Sequence, residues 1–173
     1  MAKKLQILIF PDPRLRKVAE KITIFDKSLQ NLANDMLHTM YDANGIGLAA
    51  TQVNHHIRLI VMDLSDNRDD PKIFINPTYK VLKGHNLHEF EEGCLSIPGF
   101  NETIARPDKI ELVWQDINGK EHTDTPEGLL TVCIQHEIDH LEGKLMVDYI
   151  SCLLYTSDAA DEGLGVDLGG RRI

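Results

Sequence analysis

The period of the apolar positions changes several times along the chain, and each change marks an element. From Asp26, the residues Leu29, Leu32, Ala33, Met36, Leu37, Met40 and Tyr41 recur at spacings of three and four, which places them on one face of a helix. Asp26 supplies an N-cap and Asn44-Gly45 a C-terminal stop. Residues 5–10 are apolar and β-compatible, and Pro11 and Pro13 end that run. Residues 59–64 read as a buried strand and 65–71 as a polar turn. Residues 73–82 read as a strand that Pro77 interrupts, which predicts an edge or a bulge. Residues 110–117 form another strand, and Asn118-Gly119 turns it into a hairpin with 120–123.

A second helix follows. Thr125 reads as its N-cap, Pro126 as its first position and Glu127 as an acid in its first turn. It is predicted to run to about Leu141 and stop near Gly143. Strands that precede a helix predict an α+β fold, with antiparallel sheets packed around a central helix.

Composition narrows the class. The chain has 173 residues and a formal charge of −9, which suits one domain. An acidic chain is a poor general binder of nucleic acid, which needs Lys and Arg facing phosphates. No run approaches the roughly 18 apolar residues of a membrane span, and the N-terminus lacks a signal-peptide pattern. The expectation is a cytoplasmic chain, acting as a monomer, with no membrane or nucleic-acid partner. Three cysteines, Cys94, Cys133 and Cys152, form no disulfide framework, so each is core filler, metal ligand or nucleophile.

The predicted second helix carries His136-Glu137-Ile138-Asp139-His140. Histidines at i and i+4 share a face and can share a metal ion, with Glu137 in reach of a water on it. The competing reading is a pair of surface histidines. One metallopeptidase class would place a third His where Met146 stands; another would take a Glu from the C-terminal tail. Cys133 lies about 10.5 Å along the helix from His140 at 1.5 Å per residue, too far to share a tetrahedral ion, so it lines a pocket or packs the core. Cys94, after Gly93 on an extended segment, can face the helix. One thiolate and two imidazoles leave one position open, the pattern of a catalytic site.

Three segments, GIGLAATQ at 45–52, EGCLS at 92–96 and QHEIDH at 135–140, resemble in order and spacing the three signature motifs of peptide deformylases. The resemblance spans about residues 5–151. It implies that Cys94, His136 and His140 bind one divalent metal ion, typically Fe2+ with Zn2+ or Ni2+ as substitutes. It implies Glu137 as general base and then proton donor, with the Gln52 amide and the Leu95 backbone N–H as an oxyanion hole. The backbone at Gly45, Ile46 and Gly47 would pair with an extended peptide, and Val132 and Cys133 would wall a pocket for a methionine side chain. The implied reaction removes the N-formyl group from the initiator methionine of nascent polypeptides, releasing formate. The runner-up is an H-E-x-x-H metallopeptidase of another class. Many relatives carry an Arg shortly after EGCLS. Here Phe100-Asn101-Glu102 stand in that region, with Arg106 the nearest substitute.

Residues 1–151 are thus expected to form the catalytic domain. Beyond them, residues 152–162 resemble a translated transposase-type sequencing adapter, and 166–173 fit its continuation in the same frame. Residues 152–173 are therefore expected to be a non-native tail, and Cys152 to have no role. Bacterial relatives often continue into a basic helix that docks on the ribosome, so a ribosomal partner is expected if the native chain has such a helix.

Overall fold

The computed structural model describes residues 2–150. The expected tail at 152–173 lies outside the described residues. In chain order the regular elements are α1 (Lys27–Asp42), β1 (Gly47–Ala49), β2 (Leu59–Met62), β3 (Lys72–Val81), β4 (Leu87–Cys94), β5 (Ile97–Pro107), β6 (Ile110–Gln115), β7 (Glu121–Asp124) and α2 (Leu129–Leu141). Short 3-10 turns occupy Pro13–Arg16, Ala50–Val53 and Met146–Tyr149. Strands β1-β2-β3-β6-β7 form one antiparallel sheet in that order, and β4-β5 form a second. The α+β architecture around α2 is the one its patterning predicts.

Helix α1 begins as expected. The Asp26 carboxylate accepts the Leu29 N–H at 3.0 Å, satisfying one of the donors that a helix start leaves unpaired. Asn44 takes a left-handed φ of 57° and ends the helix. Leu29, Ala33, Met36 and Met40 are buried beneath it, against Leu48, Leu59 and Val61 of the sheet.

Pro77 makes a bulge rather than an edge. Strand β3 lies in the middle of its sheet, and its register with β6 shifts between Ile75 and Thr78. The ladder donor that proline lacks is bypassed there. Asn76, at φ 52°, covers the gap with its side chain. Its Oδ1 accepts the Ile22 N–H, and its Nδ2 donates to the Ile22 carbonyl and to Gln115 Oε1, at 2.7–2.8 Å.

The start of α2 differs from the expected one. The helix begins at Leu129, with Gly128 as its cap at φ 59°. A left-handed residue there turns the chain between Thr125-Pro126-Glu127 and the helix, so those three lie before it. The Pro126 carbonyl is taken by the Thr131 hydroxyl at 2.6 Å. From Thr131 to Leu141 every residue is buried. The helix is a core element enclosed on all sides, and its polar residues must find partners inside the protein. Gly143 closes it tightly: a Cβ there would sit 2.4 Å from the Arg16 carbonyl oxygen.

Residues 5–10 form no strand. Their backbone instead ties two parts of the site together: Leu8 N–H donates to the Gln52 carbonyl at 2.7 Å and Phe10 N–H to the Ser96 carbonyl at 2.8 Å. Among the described residues no helix is long and apolar enough to cross a membrane.

Candidate metal centre and active site

Strand β4 ends at Cys94, where the chain turns through Leu95 and Ser96 into β5. Helix α2 presents His136 and His140 one turn apart, and the three donor atoms converge. Cys94 Sγ lies 3.3 Å from His140 Nε2, which lies 3.2 Å from His136 Nε2. Two imidazole nitrogens on a tetrahedral ion stand about 3.3 Å apart, and a thiolate and an imidazole about 3.6 Å, from bonds near 2.05 and 2.3 Å. The observed separations match this within a few tenths of an ångström. All three residues are buried, and they are the cluster among the described residues able to hold a metal ion. The donor set and its geometry fit one divalent ion with an open fourth position.

The surroundings prepare these atoms. Glu92, fully buried, accepts a hydrogen bond from His136 Nδ1 at 2.8 Å. That bond holds the ring with Nε2 turned toward Cys94, the usual device for orienting a His toward a metal, whose binding would displace the Nε2 proton. Burial opposes charge on His136, but Cys94 and Glu92 outweigh it and lift its pKa to about 10. Burial and the neighbouring His136 push His140 well down.

Glu137 points into the same space. It is fully buried, and neither carboxylate oxygen has a hydrogen-bond partner among the described residues. Burial lifts its pKa to about 7, against the pull of His136. A buried carboxyl left unpaired and poised near neutrality is a mark of a group that handles protons.

The glycines of the 45–52 segment are explained by close approach, as expected, and the approaching groups are now identified. A Cβ on Gly47 would lie 2.6 Å from Glu137 Oε1, and one on Gly45 would lie 2.6 Å from Leu95 Cδ1. Gly47→Ala must therefore push the Glu137 carboxylate aside. We expect that variant to fold and lose roughly 10²-fold in kcat, the cost of about 1 Å of misplacement; steady-state kinetics at unchanged secondary structure checks it.

Gln52 and Leu95 also reach the site. Gln52 Oε1 accepts the Ala49 N–H at 2.9 Å, which sets the amide's orientation and aims Nε2 inward. Nε2 donates to Ser96 Oγ at 3.1 Å and faces Cys94 Sγ at 3.7 Å. Leu95 occupies the turn beside the Cys94 thiol. Strand β1, which follows Ile46, terminates its sheet. Val132 lines a cavity of about 470 Å³, together with Phe90, Arg106, Pro126 and Leu129. Cys133 is completely buried among Ile60, Ile134 and Leu141.

Met146, which stands where one metallopeptidase class has its third His, is buried in an apolar cluster with Cys94 and Ile104. Arg106 borders the cavity that Val132 lines but is almost wholly buried, and its guanidinium is paired with Glu92 and Asp139. Sequence reasoning missed this buried group. Strand parity carried the signal, since Glu92 alternates in step with Phe90 and Cys94, the inward positions of β4.

A family model described as polypeptide deformylase matches residues 4–154. The chain belongs to the polypeptide deformylase family. It is 53% identical over 149 residues to the peptide deformylase of Stutzerimonas stutzeri, covering 86% of this chain and 88% of that one. It is 52% identical to that of Pseudomonas aeruginosa over the same length and shares. Among solved deformylases, the crystal structure from Legionella pneumophila matches with a TM-score of 0.81 at 42% identity, covering 92% of this chain and 99% of that one. The Synechococcus elongatus deformylase, solved in complex with actinonin, matches with a TM-score of 0.83 at 40% identity, covering 91% and 89%. The converged thiol and imidazoles thus sit in a deformylase fold over nearly its whole length.

Proposed function

We propose that this chain hydrolyses the N-formyl amide of formylmethionyl peptides, with Glu137 carrying the proton traffic beside one divalent ion held by Cys94, His136 and His140. The observation that carries this reading is the convergence of Sγ and the two Nε2 atoms next to a buried carboxylate without a partner. When bound, the ion supplies Lewis-acid chemistry, acidifying water and polarising the formyl carbonyl. Glu137 accepts the proton of the attacking water and returns it to the leaving amine. Gln52 Nε2 and the Leu95 N–H donate to the oxygen on which negative charge develops. Gly45, Ile46 and Gly47 offer backbone at the sheet edge for an extended peptide. Val132 and Cys133 wall the space for the methionine side chain. The products are formate and a peptide with a free amino terminus.

The reading includes ferrous iron as the resident ion, with zinc or nickel as substitutes, because a mixed thiolate and imidazole set suits all three. It also includes a cytoplasmic monomer acting on nascent peptides, with a ribosomal partner if the native chain carries a basic C-terminal helix, and a catalytic domain of residues 1–151 followed by a non-native tail. Re-amplifying the gene from source DNA checks the tail: a natural codon run encoding the same residues 152–173 would refute it.

The test of function is formate release. The full chain, purified anaerobically with ferrous iron or nickel, is expected to release formate from formyl-Met-Ala-Ser. Stoichiometric metal with no formate would reject the proposed reaction.

A further inference from the structure

The reaction chemistry leaves one buried constellation unused. Glu92, Arg106 and Asp139 expose 0%, 3% and 7% of their surfaces, and charges at that depth persist only when paired. The pairs run as a single chain. His136 Nδ1 donates to Glu92 Oε2 at 2.8 Å. Arg106 grips the same carboxylate through Nε and through Nη2, the latter at 2.9 Å. Its Nη1 donates to Asp139 Oδ2 at 2.9 Å. The Tyr149 hydroxyl donates to that same oxygen at 2.7 Å, and the Arg106 guanidinium lies 5.2 Å from the Tyr149 ring centroid.

The chain therefore begins on a metal-facing imidazole and ends on a tyrosine that is 47% exposed. Tyr149 stands on a turn that is itself anchored. Arg16 clasps Asp148 at 2.5 and 2.8 Å, and Met146 packs with Cys94 and Ile104. The end of the described chain is thus connected to the proposed metal site through Asp139, Arg106 and Glu92, none of which belongs to the cluster of candidate ligands.

We propose that Tyr149 is a positioning residue: through Asp139 and Arg106 it holds Glu92 where that carboxylate fixes the ring of His136. The physical reason is competition. Two carboxylates, Glu92 and Asp139, share one guanidinium. The Tyr149 hydroxyl meets part of the demand of Asp139, so Arg106 stays square on Glu92 with both of its donors. Without the hydroxyl, Asp139 draws Arg106 toward itself, and the hold on Glu92 and His136 slackens. Networks of this kind act as a unit, and outer partners of a metal-binding His tune affinity strongly.

The proposal rests on the metal reading of Cys94, His136 and His140. The test is Tyr149→Phe in the full chain, which removes one oxygen and keeps the ring beside Arg106. Cobalt(II) is the probe, read by chelator competition for its dissociation constant and by its visible absorption bands. Tyr149→Phe is expected to weaken cobalt binding about three- to ten-fold, less than the 10–100-fold typical of a direct partner of the His, and to shift the bands. Tyr41→Phe removes a comparable hydroxyl, one that donates to Asp63 at 2.6 Å on the α1 side, and is expected to leave both readings unchanged. In a Glu92→Gln background, Tyr149→Phe is expected to have no further effect, because its route to His136 is already cut. Equal cobalt affinity and identical bands in wild type and Tyr149→Phe would overturn the relay. So would the same loss in both backgrounds, since the effect would then bypass Glu92. Failure of the wild type itself to bind cobalt is a different result and counts against the metal reading.

Discussion

Glu137→Gln is expected to cut formate release by roughly 10²–10⁴-fold, the range for loss of a positioned acid–base group, while the protein keeps its metal. The carboxylate accepts no hydrogen bond among the described residues and is sealed from solvent, so the fold gains little from its charge. It loses from it instead. The pKa of Glu137 is raised to about 7 by burial, whereas an unfolded chain titrates it near the usual glutamate value. Between those two values the folded state holds a proton that the unfolded state has released. Stability of the metal-free protein therefore falls as pH rises from about 4.5 to about 7, by about 3 kcal/mol from this group. An amide does not titrate, so Glu137→Gln removes that dependence. The metal-free variant is expected to melt higher than wild type at pH 7.5, with the gap closing toward pH 5. A site that gives up stability for activity behaves this way. Melting curves of chelator-treated protein at both pH values, alongside formate assays, check both halves. An active Glu137→Gln enzyme would end the mechanism.

Much of the arrangement is legible in the sequence because it follows from local rules. The apolar face of α1, the Asp26 cap and the bulge at Pro77 each depend on neighbours within a few residues. So does the pairing of His136 with His140, which needs only the pitch of a helix. Cys94 required more: nothing local says that a cysteine on an extended segment faces a histidine 42 residues later, and the motif resemblance supplied that partner. The start of α2 was misplaced because Thr125-Pro126-Glu127 is a good helix opening by composition, while the left-handed Gly128 sets the boundary through backbone geometry. The β4-β5 hairpin went unread because its polar alternation, with Glu89 and Glu91 outward, resembles a loop. With it went Glu92 and Arg106, whose burial is intelligible only once the hairpin folds over α2 and each charge meets the other. Asp139 and Tyr149 were hidden for the same reason. Their meaning lies in a partner distant in sequence.

Cys94→Ala is expected to remove the ion and, with it, the activity. Three protein ligands hold one cation in the proposed site. Apparent binding energies of about 10–16 kcal/mol for four-ligand zinc sites imply about 3 kcal/mol or more per ligand, hence a loss of affinity of at least 10²-fold. The remaining pair, His136 and His140, lies on one helix and approaches the ion from one side only. Gln52 is expected to stay in place, since its amide is still held by the Ala49 N–H and by Ser96 Oγ. The fold is expected to survive, since Cys94 contributes a small side chain to a cluster that Ile104 and Met146 still fill. Metal content after gel filtration, measured by elemental analysis and compared with circular dichroism, separates the two effects. A folded Cys94→Ala protein that retains one equivalent of tightly bound metal would show that the thiolate is not a ligand. The ligand set would then have to be rebuilt from His136, His140 and Glu137 alone.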